Sequence, residues 1–84
     1  MHYVYVLKSA ILGELYVGQT NDLKRRFAEH NGKKSIATKH KAPFKLVYYE
    51  AYQSKSDAVY REKQLKRYSQ AYVALRDRIK NSIT

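Results

Sequence analysis

Cysteine is absent from this 84-residue chain, proline occurs once and glycine three times. Without thiols, neither a disulfide nor a thiolate metal site can staple the fold. Stability has to come from apolar and aromatic side chains packed in a small core. There is no linker, repeat or low-complexity stretch, so one domain over residues 1–84 is expected. No apolar run approaches the roughly 18 residues of a membrane span. Strand-like sequence begins at once with Met1-His2-Tyr3-Val4-Tyr5, which leaves no room for a signal peptide. A cytoplasmic location is the corresponding expectation.

Acid is scarce as well. Seven Asp and Glu stand against 17 Lys and Arg, a formal net charge of +10. Lys24, Arg25, Arg26, Lys33, Lys34, Lys39, Lys41 and Lys45 fall in one stretch that holds a single acid, Glu29. Such a stretch is the usual footprint of a polyanionic partner, most often nucleic acid. A solvated face that only aids solubility is the other reading of the same charge.

Tyrosine is what the chain has in plenty, nine in all. Tyr3 to Lys8 reads as a strand rich in Tyr and Val. Gly13 marks a turn, and Leu15 to Gln19 reads as a second strand, so the two form a hairpin. Thr20 or Asn21 is suited to cap a helix from about Asp22 to His30, with an acid in its first turn. Asn31-Gly32 stops it. A basic loop follows to Pro43. Phe44 to Ala51 is a third strand. Ser54-Lys55-Ser56-Asp57 fits a capping box for a helix to about Arg67. Ser69 starts a third helix to about Lys80. The order β-β-α-β-α-α predicts an α+β domain, a three-stranded, mostly antiparallel sheet packed with three helices.

Two helices carry polar residues on their apolar stripes. Leu23 and Phe27 mark the stripe of the first, and Arg26 and His30 complete its i, i+3, i+4, i+7 set. Lys24 and Arg25 point elsewhere. An inward Arg is costly unless paired or at the mouth of a cleft, though its stem can pack while its head reaches water. On the second helix Glu62 falls between Ala58 and Leu65, with Arg61 and Lys63 turned away by about 100° each. An inward carboxylate suits either a metal such as Mg²⁺ or Mn²⁺ or an ion pair, here with Arg26. On the strands Tyr3, Tyr5 and Leu7 share a face. Tyr5 and Tyr16 come together across the hairpin, and Gly18 would let a substrate backbone approach. Taken alone, a tyrosine is a poor base at neutral pH.

Tyr3-Val4-Tyr5, Tyr16-Val17-Gly18, Arg26, His30 and Glu62 within Arg-Glu-Lys-Gln-Leu-Lys occur in order, Tyr5 and Tyr16 eleven apart, Tyr16 and Arg26 ten, Arg26 and His30 four. With Leu15 to Leu23, Glu29-His30-Asn31 and Lys45 to Glu50, this resembles a GIY-YIG nuclease domain of the small stand-alone kind, over essentially the whole chain. The resemblance implies a divalent-metal-dependent endonuclease that hydrolyses phosphodiester bonds, with DNA the expected substrate. It implies Tyr16, with Tyr5, as the groups that position or deprotonate the attacking water. It implies Glu62 as the ligand of one Mg²⁺ or Mn²⁺ ion, Arg26 as the group that neutralises the phosphate, and His30 as a proton-transfer or tyrosine-orienting group. Lys24, Arg25, Lys33, Lys34, Lys39, His40 and Lys41 would form the track for the nucleic-acid backbone.

The chain also departs from the pattern. Tyr3 replaces the first Gly of the family name. Gln19 stands where some relatives carry Lys, which excludes a lysine-assisted base at that position. Some relatives use an Asn near the C-terminus, where Asn81 is the sole candidate. No additional DNA-recognition domain fits in the chain, so a targeting partner protein is expected. The rival reading is a nucleic-acid-binding adaptor of the same fold with little or no catalysis. A third is a self-associating domain joined through its tyrosines.

Overall fold

The computed structural model describes all residues from 1 to 84. Its elements are β1 (His2–Ser9), β2 (Leu15–Thr20), α1 (Leu23–Asn31), β3 (Phe44–Tyr52), α2 (Lys55–Lys66) and α3 (Gln70–Arg78). The α+β order is the one read from the sequence. The sheet is antiparallel throughout, in the order β2-β1-β3.

β1 is central because it is apolar on both sides. Val4, Tyr5, Val6 and Leu7 are each at most 2% exposed. Val4 and Val6 meet Val17, Ala58, Leu65, Leu75 and Ile79, which brings α2 and α3 against one face. Tyr5 and Leu7 meet Ala42 and Phe44, with Leu23, Phe27, Tyr16 and Leu46 around them. Helix α1 and the loop after it therefore close the opposite face. Each fully buried aliphatic side chain contributes about 1.5–3 kcal/mol to this packing.

β3 carries an extra residue. Val6 pairs with Tyr48 and Leu7 with Leu46, so Val47 is the unpaired member of a β-bulge. Phe44 and Leu46 lie on the α1 side with Leu7. Beyond the bulge Val47, Tyr48 and Tyr52 pack on the α2 side. Glu50 joins them there. It accepts hydrogen bonds from the Tyr48 hydroxyl at 2.6 Å, from the Tyr52 hydroxyl and from Arg61 Nε at 3.0 Å and Nη2 at 3.1 Å. Arg61 thus turns inward, contrary to the expectation that it faces away. Its stem packs while its head pairs with Glu50.

Burial alone would raise the Glu50 pKa, but the hydrogen bonds from Arg61, Tyr48 and Tyr52 outweigh it and hold the carboxyl below its ordinary value of 4.5. The unfolded chain therefore takes up this proton first. The stability tied to Glu50 is complete above about pH 4.5 and disappears as pH falls through the depressed folded value. We expect Glu50→Gln to lower stability by about 2 kcal/mol at neutral pH, by leaving Arg61 partly unpaired. In thermal melts taken from pH 7 to pH 3, the parent should lose more stability than the variant on the acid side.

The helix ends differ in detail from expectation. Asp22 is the cap of α1, its Oδ1 accepting from Arg25 N at 3.1 Å, and no acid occupies the first turn. Thr20 Oγ1 instead accepts from the Asp22 amide at 3.1 Å. The capping box at Ser54 does not form, since neither Ser54 nor Ser69 makes a side-chain cap bond. Gly32 ends α1 with φ of −80°, and it is Lys33 that takes the left-handed conformation at φ 61°. Tyr68, at φ 55°, makes the break between α2 and α3. Gly13, at φ 72°, serves the β1–β2 turn as its sequence position suggested.

Candidate active site

The site lies on the α1 face of the hairpin. Tyr5 pairs with Gly18 and Leu7 with Tyr16, so the two tyrosines are diagonal neighbours on one face. The inner stripe of α1 brings His30 between them. Its ring centroid is 5.7 Å from that of Tyr5 and 5.2 Å from that of Tyr16, both edge-on.

His30 is completely buried. Its Nε2 lies 2.9 Å from the Tyr5 hydroxyl and its Nδ1 2.7 Å from Thr38 Oγ1. Burial, aided by the charge on Arg26, lowers the imidazole pKa, against a small opposing effect of Glu29. The ring is therefore neutral at pH 7. Burial also pushes the Tyr5 phenol up to about 12, although the Arg26 guanidinium beside it pulls the other way. The phenol keeps its proton, and the neutral imidazole, donating through one nitrogen and accepting through the other, links the Tyr5 and Thr38 hydroxyls. This chain fixes the Tyr5 ring in place.

Gly18 serves the same end. A Cβ there would lie 2.3 Å from the Tyr5 oxygen and 2.4 Å from Cζ. The glycine makes room for the Tyr5 ring and not for a substrate backbone, which corrects the sequence reading. We expect Gly18→Ala to destabilise the protein by about 1–3 kcal/mol, because the ring is buried and bonded and cannot swing aside. That corresponds to a fall in melting temperature of about 4–8 °C per kcal/mol for a domain of this size. An unchanged melting temperature would show that Tyr5 has another resting place.

Arg26 is half-buried at the edge of the stripe. Its Nη1 donates to Glu29 Oε1 at 3.0 Å and its Nη2 to Ser35 Oγ at 3.3 Å. Glu62 is mostly shielded, with 22% of its side chain exposed, and pairs with Lys66 Nζ at 3.4 Å. The Arg26–Glu62 pair considered as the structural role of both residues is therefore not the one formed. Lys66 also lies over the Tyr16 ring, 5.6 Å from its centroid. Two tyrosines, a guanidinium and a buried imidazole thus share the α1 face. Glu62, on α2, is tied to them through Lys66, which it pairs with and which lies over Tyr16, and is near enough for its charge to act on the Tyr5 phenol. The GIY-YIG catalytic domain pattern matches residues 1–76. The chain belongs to the GIY-YIG family.

Its relatives are small proteins. A UPF0213 protein of Bacillus pumilus is 44% identical over 66 residues, 77% of this chain and 66% of its own length. One from Halobacterium salinarum is 42% identical over 72 residues, 84% of this chain and 92% of its own. The solution NMR structure of a UPF0213 protein from Bacillus halodurans, 36% identical, superposes with a TM-score of 0.54 over 88% of this chain and 79% of that one. The GIY-YIG family is one of nucleases, which makes nucleic acid the natural substrate class for the domain.

Within this GIY-YIG domain the basic residues do not behave alike. Lys33, Lys34, Lys39 and His40 are exposed on the loop after α1, as are Lys24 and Arg25 on the helix. Lys41 is held by Glu14 at 2.9 Å, and Arg25 is 4.0 Å from Glu29. His40 lies apart from the tyrosines, beside Ile11, Lys33, Lys39 and Ala42. Asn81 is exposed beyond α3, and its carbonyl accepts from Thr84 Oγ1 at 3.3 Å. Sequence reasoning missed Ser35, Thr38 and Lys66. The two hydroxyls sit in a loop, where no periodicity marks an inward residue. Lys66 follows Glu62 by four positions, and that spacing was the available signal.

Proposed function

We propose that the chain is an endonuclease that hydrolyses phosphodiester bonds of DNA with one Mg²⁺ or Mn²⁺ ion and little intrinsic sequence preference. The observation that carries this reading is the gathering of Tyr5, Tyr16 and Arg26 about the buried His30, with Glu62 joined to Tyr16 through Lys66. A packed core has no use for so many polar groups on one face.

The roles divide by accessibility. Tyr5, locked by His30 and with its proton held, orients but does not accept a proton. Tyr16, half-buried and under the Lys66 ammonium, is the tyrosine available to hold the attacking water. Arg26 is the group that meets the phosphate, since guanidinium matches its oxygens and charge in a partly desolvated setting. His30, with both nitrogens engaged inside the protein, positions Tyr5. This assigns it the orienting role of the two that the family resemblance implied.

Glu62 would hold the metal. No group of three His, Asp or Glu side chains exists that could enclose an ion. A single carboxylate fits a hard cation that keeps its waters and takes phosphate oxygens as further ligands. When bound, such an ion supplies charge that stabilises the leaving oxygen. Lys66, which now neutralises Glu62, would have to release it.

Affinity should come from the exposed cations Lys24, Arg25, Lys33, Lys34 and Lys39, with His40 as a further phosphate contact, and should fall steeply with salt. Targeting to particular DNA would fall to a partner protein. The test is a cleavage assay on labelled single-stranded, duplex and branched DNA and RNA with Mg²⁺, Mn²⁺ or chelator. Metal-dependent cutting supports the proposal. Binding without cutting in every condition would shift the reading to an adaptor that uses the same basic face.

A further inference from the structure

The loop between α1 and β3 is pinned from inside. Ser35 and Thr38 are 5% and 1% exposed. Their hydroxyls hold Arg26 and His30 respectively. The amides of Thr38 and Lys39 donate to the Ser35 carbonyl at 3.2 and 2.9 Å, and that of Lys41 to the Thr38 carbonyl at 2.9 Å. A segment held in this way has a defined outer side. That side carries Ile36, 86% exposed, the most exposed large apolar side chain of the protein.

A single exposed aliphatic residue is ordinary on a protein surface. Ile36 is set apart by its company. Lys33, Lys34 and Lys39 lie within three residues on either side and are all exposed. Ile11, 63% exposed on the β1–β2 turn, shares a shallow depression with Lys33, Lys39 and His40. Ile36 directly follows Ser35, the residue that holds Arg26. Cations that grip phosphates, with a branched apolar side chain between them on a firm backbone, have the chemistry of a wedge at a base step.

We propose that Ile36 inserts between stacked bases of a bound duplex while the surrounding lysines hold its backbone. This rests on the nucleic-acid reading above and gives it a substrate class: duplexes with a step already weakened by a mismatch, nick or branch. Separating bases is least costly where stacking is already poor. Because the wedge adjoins the partner of Arg26, the opened step would lie beside the phosphate that Arg26 meets.

The test uses the full chain in chelator, so that nothing is cut. Two duplexes of equal length carry 2-aminopurine, one at a mismatch and one in regular pairing. The parent should bind the mismatched duplex about tenfold more tightly, with a rise in 2-aminopurine emission. Ile36→Ala should bring the ratio close to one and remove the rise, with regular-duplex affinity within about twofold of the parent. Ile36→Leu should restore both. Lys33→Ala should weaken both duplexes alike and lower the salt slope by about one. At 86% exposure, neither Ile36 substitution has packing to lose. Preference and emission that survive in Ile36→Ala would overturn the wedge while leaving the nucleic-acid reading intact. So would a change confined to self-association in sedimentation. Failure of the parent to bind either duplex would overturn both.

Discussion

Glu62→Ala should leave nucleic-acid binding within about twofold of the parent and lower metal-dependent cleavage about a thousandfold. The two effects separate because of the charge around the residue. Glu62 is one of seven acids in a chain of net charge +10, so its removal makes the surface more attractive to phosphate. Its one ion pair, with Lys66, is an i, i+4 contact on α2. Such pairs contribute about 0.3–0.5 kcal/mol, so the melting temperature should barely move. What the substitution removes is the carboxylate assigned to the cation, which Lys66 links to Tyr16. Single-turnover cleavage and fluorescence-anisotropy binding on the same preparation check both halves. Binding lost in step with cleavage would make Glu62 a structural residue and end the metal assignment.

His30→Ala should cost about 3–5 kcal/mol, a large share of the roughly 5–15 kcal/mol that holds a domain together. The substitution empties a completely buried site and removes the partner of two hydroxyls, Tyr5 and Thr38, at once. The parent should also show a pH signature that the variant lacks. Burial lowers the folded pKa of His30, so on acidification the unfolded chain takes its proton first. The associated stability is complete above the ordinary value of 6.5 and is lost as pH falls through the folded value. The slope cannot exceed about 1.4 kcal/mol per pH unit for one proton. Urea denaturation at pH 7.5, 6.5 and 5.5 measures it. An equal slope in His30→Ala would place that proton elsewhere.

The architecture was largely legible in the sequence, for specific reasons. Two-residue alternation from Tyr3 to Lys8 and the Gly13 turn gave the hairpin. The 3.6-residue stripes of two helices, with Arg26 and His30 on one and Glu62 on the other standing where apolar residues belong, mark these polar residues in the sequence itself. The rest depended on tertiary placement. Ser35 and Thr38 are inward residues of an irregular loop, where no repeat distinguishes inside from outside. Arg61 turns inward because Glu50 faces α2, and Glu50, four residues after Leu46, lies on the other face from it because the bulge at Val47 breaks the alternation. Asp22 and its neighbours Thr20 and Asn21 are all good caps by type, so backbone geometry decided among them. Gly18 was recognised as a site of close approach, but the approaching group was the protein's own Tyr5.

The bulge at Val47 makes chain length, and not residue type, the variable that assigns β3 side chains to a face. Phe44 and Leu46 serve the tyrosine side, and Glu50, four residues after Leu46, serves the helical side. Were Val47 paired in ordinary alternation, Glu50 would fall on the face of Tyr5 and Tyr16, and Arg61 would lose its anion. Deleting Val47 has the opposite consequence: Leu46 stays opposite Leu7, Tyr48 opposite Val6, and Glu50 keeps its place beside Val4 on the α2 side. Among relatives, a gap at this position would therefore leave the chemistry of the site untouched, whereas an added residue that pairs would exchange the faces of every residue after it.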